Sequence, residues 1–153
     1  MKPANLRRLM NIWPPYLAAG IRVREIAPDW RRVRVELVER WWNRNYVGTH
    51  FGGSLFAMTD PFYMLMYINL LGRDYTVWDY AAHIRFVRPG RGVVAARFEL
   101  GDDDLERAVR GTRDGQRFVR DHEVTVRDRS GEDVARVRRE VYFRRRAPSS
   151  AVR

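Results

Sequence analysis

Six stretches of the chain alternate apolar and polar residues with a period of two, the pattern of half-buried β-strands. The alternation is clearest in residues 31–40, where Val33, Val35 and Leu37 are separated by charged side chains. Two stretches precede residue 50 and four follow residue 74, and turn residues separate most of them. The order predicts a mainly antiparallel sheet. The predicted strands are 20–27, 31–40, 75–88, 93–100, 116–128 and 133–145.

Between the second and third strands, residues 52–71 are nearly all apolar and Gly72 stands where helices commonly end. This predicts one long helix against the sheet. Residues 4–19 predict helical turns interrupted by Pro14-Pro15, and Asp102 opens a short helix running to about residue 113. We therefore expect an α+β fold, with a sheet around one long central helix. A single domain would span residues 1–146, with an N-terminal helical segment at 1–19 and a flexible tail at 147–153.

Two charged residues break the apolar patterns. Asp60 lies inside the predicted long helix, where an unpartnered buried carboxylate is strongly unfavourable. It follows Gly53 by seven residues, or about two turns, so both would share a helix face that also carries Tyr63. Pro61 comes next and should kink or loosen the helix.

Arg139 falls among the apolar odd-numbered positions of the last strand, which either a bulge or a position at the rim of the sheet would explain.

Composition narrows the possible functions. The chain has 153 residues, a net charge of +10 and 29 basic residues, of which only Lys2 is a lysine. It has no cysteine, which excludes a disulfide framework, a thiolate metal site and a cysteine nucleophile. Its three histidines are widely separated, so no metal site is expected. The positive charge suits an anionic ligand, but no helix-turn-helix, zinc-finger or RNA-binding pattern accompanies it, so we expect no nucleic-acid partner.

The sequence also indicates whether the chain is secreted or spans a membrane. No secretory signal is visible at the start of the chain. Residues 51–71 have about the length of a transmembrane span, yet an Asp-Pro pair near their middle makes a poor one. We expect a cytoplasmic protein with no membrane span.

The entrance of the predicted long helix carries a spaced motif. Asn45, Gly48, Gly52-Gly53 and Asp60 stand at the spacings found in hot-dog acyl-CoA thioesterases of the phenylacetyl-CoA thioesterase type. The run HIRFVRPGRG at 83–92 resembles the strand and turn that follow the helix in that superfamily. Over nearly its whole length the chain is similar to bacterial thioesterase-like proteins with this fold. It departs at one place, since Phe51 occupies the position of the family histidine and His50 stands one residue earlier.

The resemblance implies a hot-dog fold and a thioesterase that hydrolyses acyl-CoA. It implies that Asp60 acts as base or nucleophile and that Asn45 orients water or substrate. Amides near Gly53, at the start of the helix, would polarise the thioester oxygen. A coenzyme A thioester would be the substrate, with no metal or cofactor. The expected substrate contacts are Gly52, His50, Phe51, Tyr63 and, for the nucleotide phosphates, Arg85, Arg88 and Arg91.

Two protomers would combine to form each site, as a homodimer or a dimer of dimers, with their sheets joined edge to edge. The alternative is a hot-dog protein that binds acyl-CoA or lipid without hydrolysing it. The phenylalanine at position 51 favours that alternative.

Overall fold

The computed structural model describes residues 1–147, and the predicted tail at 147–153 lies outside this range except for Ala147. Six strands form one sheet in the order β1-β2-β4-β5-β6-β3, and every neighbouring pair is antiparallel. The predicted α+β architecture is confirmed. The elements are α1 (Pro3–Ile12), α2 (Pro14–Ala19), β1 (Ile21–Ile26), β2 (Arg32–Val38), α3 (Gly52–Ala57), α4 (Phe62–Leu71), β3 (Tyr75–Phe86), β4 (Val93–Glu99), α5 (Asp102–Gly111), β5 (Arg117–Asp128) and β6 (Asp133–Arg145).

The core lies between the sheet and helix α4. Alternate residues of the strands face inward, and Leu37 and Phe98 are fully buried there. Helix α4 contributes Phe62, Met66 and Tyr67, all at most 1% exposed. Burial of such large apolar side chains, at roughly 1.5–3 kcal/mol each, is the main force holding the helix against the sheet.

The predicted long helix is wrong as a single element, because two helices take its place, and the break falls at Pro61, where a kink or loosening was expected. Helix α3 ends at Ala57, helix α4 begins at Phe62, and a cis peptide bond joins Asp60 to Pro61 between them. Proline has no N–H to donate and its ring excludes the preceding turn of a helix, so the helix stops there. Asp60 consequently leaves the core, and its side chain is 55% exposed. The expected alignment of Asp60 with Gly53 on one helix face is also wrong.

Arg139 is buried, with its side chain only 4% exposed, so a position at the rim of the sheet is excluded. The odd-numbered residues of β6 keep their inward orientation through this position. The irregularity lies on the neighbouring strand, where the register of β3 against β6 shifts between Asp79 and Ala81. Arg139 therefore points toward the break between α3 and α4.

The two edges of the sheet differ. Strand β1 is covered by helix α1, whose Asn11 side chain donates to Val23 O at 3.0 Å and accepts from Val23 N at 2.8 Å. Strand β3 has a neighbouring strand only on its β6 side within residues 1–147. Most of its residues from Tyr80 onward are exposed, Phe86 among them. An open edge of this length is available for pairing with another strand.

Candidate active site

A pocket of about 430 Å³ opens at the start of helix α3. The loop before α3 forms one wall and the turn after β3 forms the other. These walls are joined because His50 N donates to Gly90 O at 2.9 Å. The pocket thus contains part of the predicted site, together with apolar surface on which a chain can pack. Its lining residues are Asn45, Thr49, His50, Gly52, Leu55, Phe86, Val87, Arg88, Pro89 and Gly90.

Asn45 shapes the loop before α3. Its Oδ1 accepts from Thr49 N at 3.0 Å, and its Nδ2 donates to Thr49 Oγ1 at 2.9 Å and to His50 O at 3.2 Å. Gly48 sits in the same loop with φ of +73°, a conformation that a side chain would strain. Arg91 fixes the loop from outside, because its Nη1 donates to Gly48 O at 2.7 Å. Asn45 therefore holds the pocket wall in place.

Helix α3 presents free backbone donors at its start. The N–H groups of Ser54 and Leu55 donate to Phe51 O, at 3.0 and 3.1 Å. Those of Gly52 and Gly53 come earlier in the turn and have no backbone acceptor among the described residues. Gly52 lines the pocket, and a Cβ added there would lie 2.9 Å from Cζ of Phe86, so the aromatic ring packs directly on its backbone.

The side chain of Phe51 packs on Gly53. This side chain is 57% exposed, but its ring lies so close to Gly53 that a Cβ added there would collide with Phe51 Cε1. The aromatic ring of Phe51 thus packs against the backbone of Gly53. Gly53 and Phe51 adjoin the pocket through Gly52 without lining it.

His50 is a buried, neutral imidazole in the pocket wall. Burial lowers its pKa, with Glu39 and the carbonyl of Gly92 opposing the shift. Its Nε2 lies 3.1 Å from Gly92 O, which requires the hydrogen to be on Nε2. Its Nδ1 then carries a lone pair, and this buried atom has no hydrogen-bond partner among residues 1–147.

The predicted catalytic carboxylate belongs to a second group of residues. Arg139 forms ion pairs with Asp60 and, at 3.4 Å, with Asp79 of strand β3. The guanidinium also lies over the ring of Phe56, 5.5 Å from its centroid. The buried Tyr16 hydroxyl donates to the backbone oxygen of Asp60. The break between α3 and α4 is thereby tied to α2, β3 and β6, but Asp60 does not line the pocket.

Asp79 is the carboxylate that is poorly solvated. Burial raises its pKa to about 6; Arg139 opposes that rise, and the nearby charge of Asp60 adds to it. Its Oδ1 is buried without a hydrogen-bond partner in the described part of the chain. An aspartate with such a pKa changes its charge near neutral pH.

The remaining predicted contacts lie elsewhere. Tyr63 is in the core, stacked on His122 with ring centroids 4.3 Å apart, and not in the pocket wall. Arg88 does line the pocket, and Glu132 holds its guanidinium at 2.8 Å. Arg91 supports the loop outside the pocket, while Arg85 lies exposed on β3 with no ion pair among the described residues.

Comparison with known proteins places the chain in a family. The family model for DUF4442, a domain of unknown function, matches residues 3–143. The chain belongs to the DUF4442 family. A comparison with curated proteins gave no match.

Solved structures show the same fold. A Pseudomonas aeruginosa protein of unknown function, described as a probable thioesterase, superposes with a TM-score of 0.79 at 19% identity, covering 94% of this chain and 96% of that one. A Haemophilus influenzae thioesterase gives 0.68 at 15%, covering 98% and 95%. The E. coli PaaI protein of the phenylacetic acid degradation operon gives 0.62 at 17%, covering 95% and 92%. The expected hot-dog fold is confirmed.

Sequence reasoning missed the partners of Asp60 in this DUF4442 chain. Asp79 and Arg139 carry opposite charges at inward positions of neighbouring strands. Two such charges in otherwise apolar patterns were the sequence signal for a buried ion pair. Tyr16 gave no signal, because its contact with Asp60 depends on how α2 packs. Within residues 1–147 no helix is long and apolar enough to cross a membrane, and no cluster of three potential metal ligands occurs.

Proposed function

We propose that this protein is a thioesterase that hydrolyses an acyl-CoA or a related acyl thioester in the cytoplasm. The observation that carries the proposal is the pocket at the start of α3. The N–H groups of Gly52, which lines the pocket, and of Gly53, which adjoins it, have no backbone acceptor among the described residues. Backbone donors held in such a position stabilise the negative charge that develops on a thioester oxygen in the transition state. The structural neighbours described as thioesterases support the same assignment.

In this proposal Asp60 is the general base. Its carboxylate is half exposed, so water reaches it, and Arg139 holds it in a fixed position. Asp60 takes a proton from water, and the resulting hydroxide attacks the carbonyl carbon. The tetrahedral intermediate then expels the thiolate, which receives that proton from Asp60. The Asn45 loop positions the acyl group beside the start of α3.

We propose that each site combines two subunits. Asp60 does not line the pocket of its own chain, and Phe86 of the pocket lies seven residues beyond Asp79 on β3, about 23 Å along an extended strand. If two β3 edges pair antiparallel, the Asp79 region of one strand approaches the Phe86 end of the other. Asp60 of the partner subunit would then face the pocket. The open, exposed β3 edge supports this arrangement.

The nucleotide part of coenzyme A would contact arginines near the pocket mouth. Arg88 lines the pocket and Arg91 braces its loop, while Arg85 stays exposed on β3. Guanidinium groups bind phosphate oxygens in bidentate fashion, which suits this role.

A second candidate is a protein that binds acyl-CoA without hydrolysing it. The position of Phe51 favours it, because its ring packs on Gly53 and occupies space beside the start of α3. Stoichiometric acyl-CoA binding without any turnover would select this second function.

Mixing two inactive variants tests the composite site. Asp60→Asn removes the base and Asn45→Ala removes the pocket residue, and each protein alone should be inactive. After unfolding and refolding together, a mixed dimer would contain one intact site if the site spans two subunits. Recovery of up to about half the activity per mixed dimer is expected. No recovery, with mixed dimers verified by mass spectrometry, would place the whole site in one chain. Circular dichroism of each variant controls for folding.

A further inference from the structure

Six large apolar side chains of helices α1 and α2, the residue between them and the loop after β2 are exposed to solvent. Ile12 on α1 is 70% exposed and Trp41 is 83% exposed. Large apolar residues grouped at the surface mark interaction sites rather than ordinary exposure. The N-terminal face, as we name it, comprises Leu9, Ile12, Trp13, Leu17, Trp41 and Trp42.

These side chains form one surface. Leu9 and Ile12 are three residues apart and so lie on the same side of α1. Trp42 donates from Nε1 to Ala18 O at 3.2 Å, which places its ring against the end of α2. Trp41 packs edge-on against Trp42, with centroids 5.5 Å apart. The face therefore continues from α1 across α2 to the loop after β2.

The chain segment that carries most of this face is positively charged. Residues 1–24 contain five basic residues and no acidic one. Arg24 pairs with Glu36, whereas no ion pair forms at the other four among the described residues. Those four are Lys2, Arg7, Arg8 and Arg22.

The positive charge of the N-terminal face also limits which partner can bind there. A second copy docking through the same face would oppose Arg7 and Arg8 with their own equivalents, which repel. The chain's residues 148–153 hold no carboxylate side chain to complement the face. They follow β6, which is separated from β1 by three strands of the sheet.

We propose that the N-terminal face docks the protein on an anionic lipid bilayer, lying on the surface without crossing it. Amphipathic helices with Trp and Leu on one side and Lys or Arg beside them bind in the headgroup region of bilayers. Tryptophan favours that region, and each basic residue near an anionic surface adds attraction. This inference does not depend on the proposed thioesterase activity.

Vesicle co-sedimentation tests the proposal with the full chain. The probes are vesicles of phosphatidylcholine alone and vesicles of equal parts phosphatidylcholine and phosphatidylglycerol. Wild type should bind only the anionic vesicles, and added salt should weaken binding. Ile12→Ser with Trp41→Ser should weaken it more than about tenfold, as should Arg7→Gln with Arg8→Gln. Both residues of the first pair are highly exposed, so the fold should persist, and circular dichroism checks this.

Matched controls test whether any loss of vesicle binding is specific to the N-terminal face, or follows from removing positive charge or exposed apolar surface anywhere on the protein. Arg110→Gln with Arg113→Gln removes the same charge near α5, and Val109→Ser removes an exposed apolar residue there. Both controls should bind like wild type. Three results would overturn the proposal: no binding of wild type to anionic vesicles, equal loss in the charge control, or unchanged binding of the Ile12/Trp41 variant. A change of that variant's oligomeric state without any vesicle binding would instead assign the face to self-association.

Discussion

Arg139 of strand β6 forms an ion pair with Asp60 at the break between helices α3 and α4. The arginine is buried and the aspartate is half exposed, so a side chain fixed in the core holds a carboxylate at the surface in place. Asp79 binds the same guanidinium from strand β3. A residue that could act as a base is thus held by a rigid sheet although it lies in a segment between helices.

Arg139→Met should destabilise the protein strongly. Removing one partner of a buried ion pair leaves Asp79 without its counter-charge, which costs about 3–5 kcal/mol of unfolding free energy. Urea denaturation measures this, and Arg138→Met on the exposed face of the same strand is the matched control. Adding Asp79→Asn to Arg139→Met should recover part of the loss. Equal stability of the Arg139 and Arg138 variants would contradict a structural role for the buried pair.

Asp79→Asn should alter how stability depends on pH. The folded pKa of Asp79, about 6, is above the ordinary 3.8, so the folded state holds its proton more tightly. The wild-type free energy of unfolding should therefore fall relative to the variant as pH rises from about 4 to 6. The difference should reach about 2–3 kcal/mol. Denaturation of both proteins across this range measures it, and a pH-independent difference would show that Asp79 titrates normally.

His122 should stay neutral down to low pH. Burial, with Arg120 adding to it, lowers its pKa from 6.5 to about 4. Its Nε2 lies 2.9 Å from the Tyr67 hydroxyl. Since the folded pKa is depressed, the stability linked to this neutral group is complete above pH 6.5 and is lost as pH falls toward 4. Proton NMR of the imidazole measures the titration directly, with exposed His83 assigned in the same spectrum; a midpoint for His122 near 6.5 would refute the burial.

Phe51→Ala should increase thioester turnover. The substitution removes the ring that packs on Gly53 and gives a substrate oxygen more room beside the start of α3. In the proposed site, one further backbone donor reaching that oxygen is worth about tenfold or more in rate. Steady-state kinetics with an acyl-CoA measures kcat, and Tyr46→Ala, which removes a fully exposed aromatic ring from the same loop, is the control. Unchanged kcat in the Phe51 variant would show that the ring does not restrict the site.

Much of the fold was predictable, because alternation of apolar residues, as at Val33, Val35 and Leu37, follows directly from burial on one face of a sheet. The complete break of the long helix was less predictable, because a proline such as Pro61 either kinks a helix or ends it, and the surrounding packing decides which. The Asn45–Gly52 pocket followed from local spacing. The link from Asp60 to Arg139 joins residues 79 positions apart, and only the strand register brings them together.

Hydrolysis of an acyl-CoA panel by wild type and Asp60→Asn tests the central claim most directly. Asp79 still pairs with Arg139 in that variant, so the chain should fold normally. Asp103→Asn, an exposed carboxylate on α5, controls for loss of charge. We predict that wild type and the Asp103 variant hydrolyse at least one acyl-CoA and that the Asp60 variant loses at least about a hundredfold in kcat. Full activity in a folded Asp60→Asn protein would contradict the account.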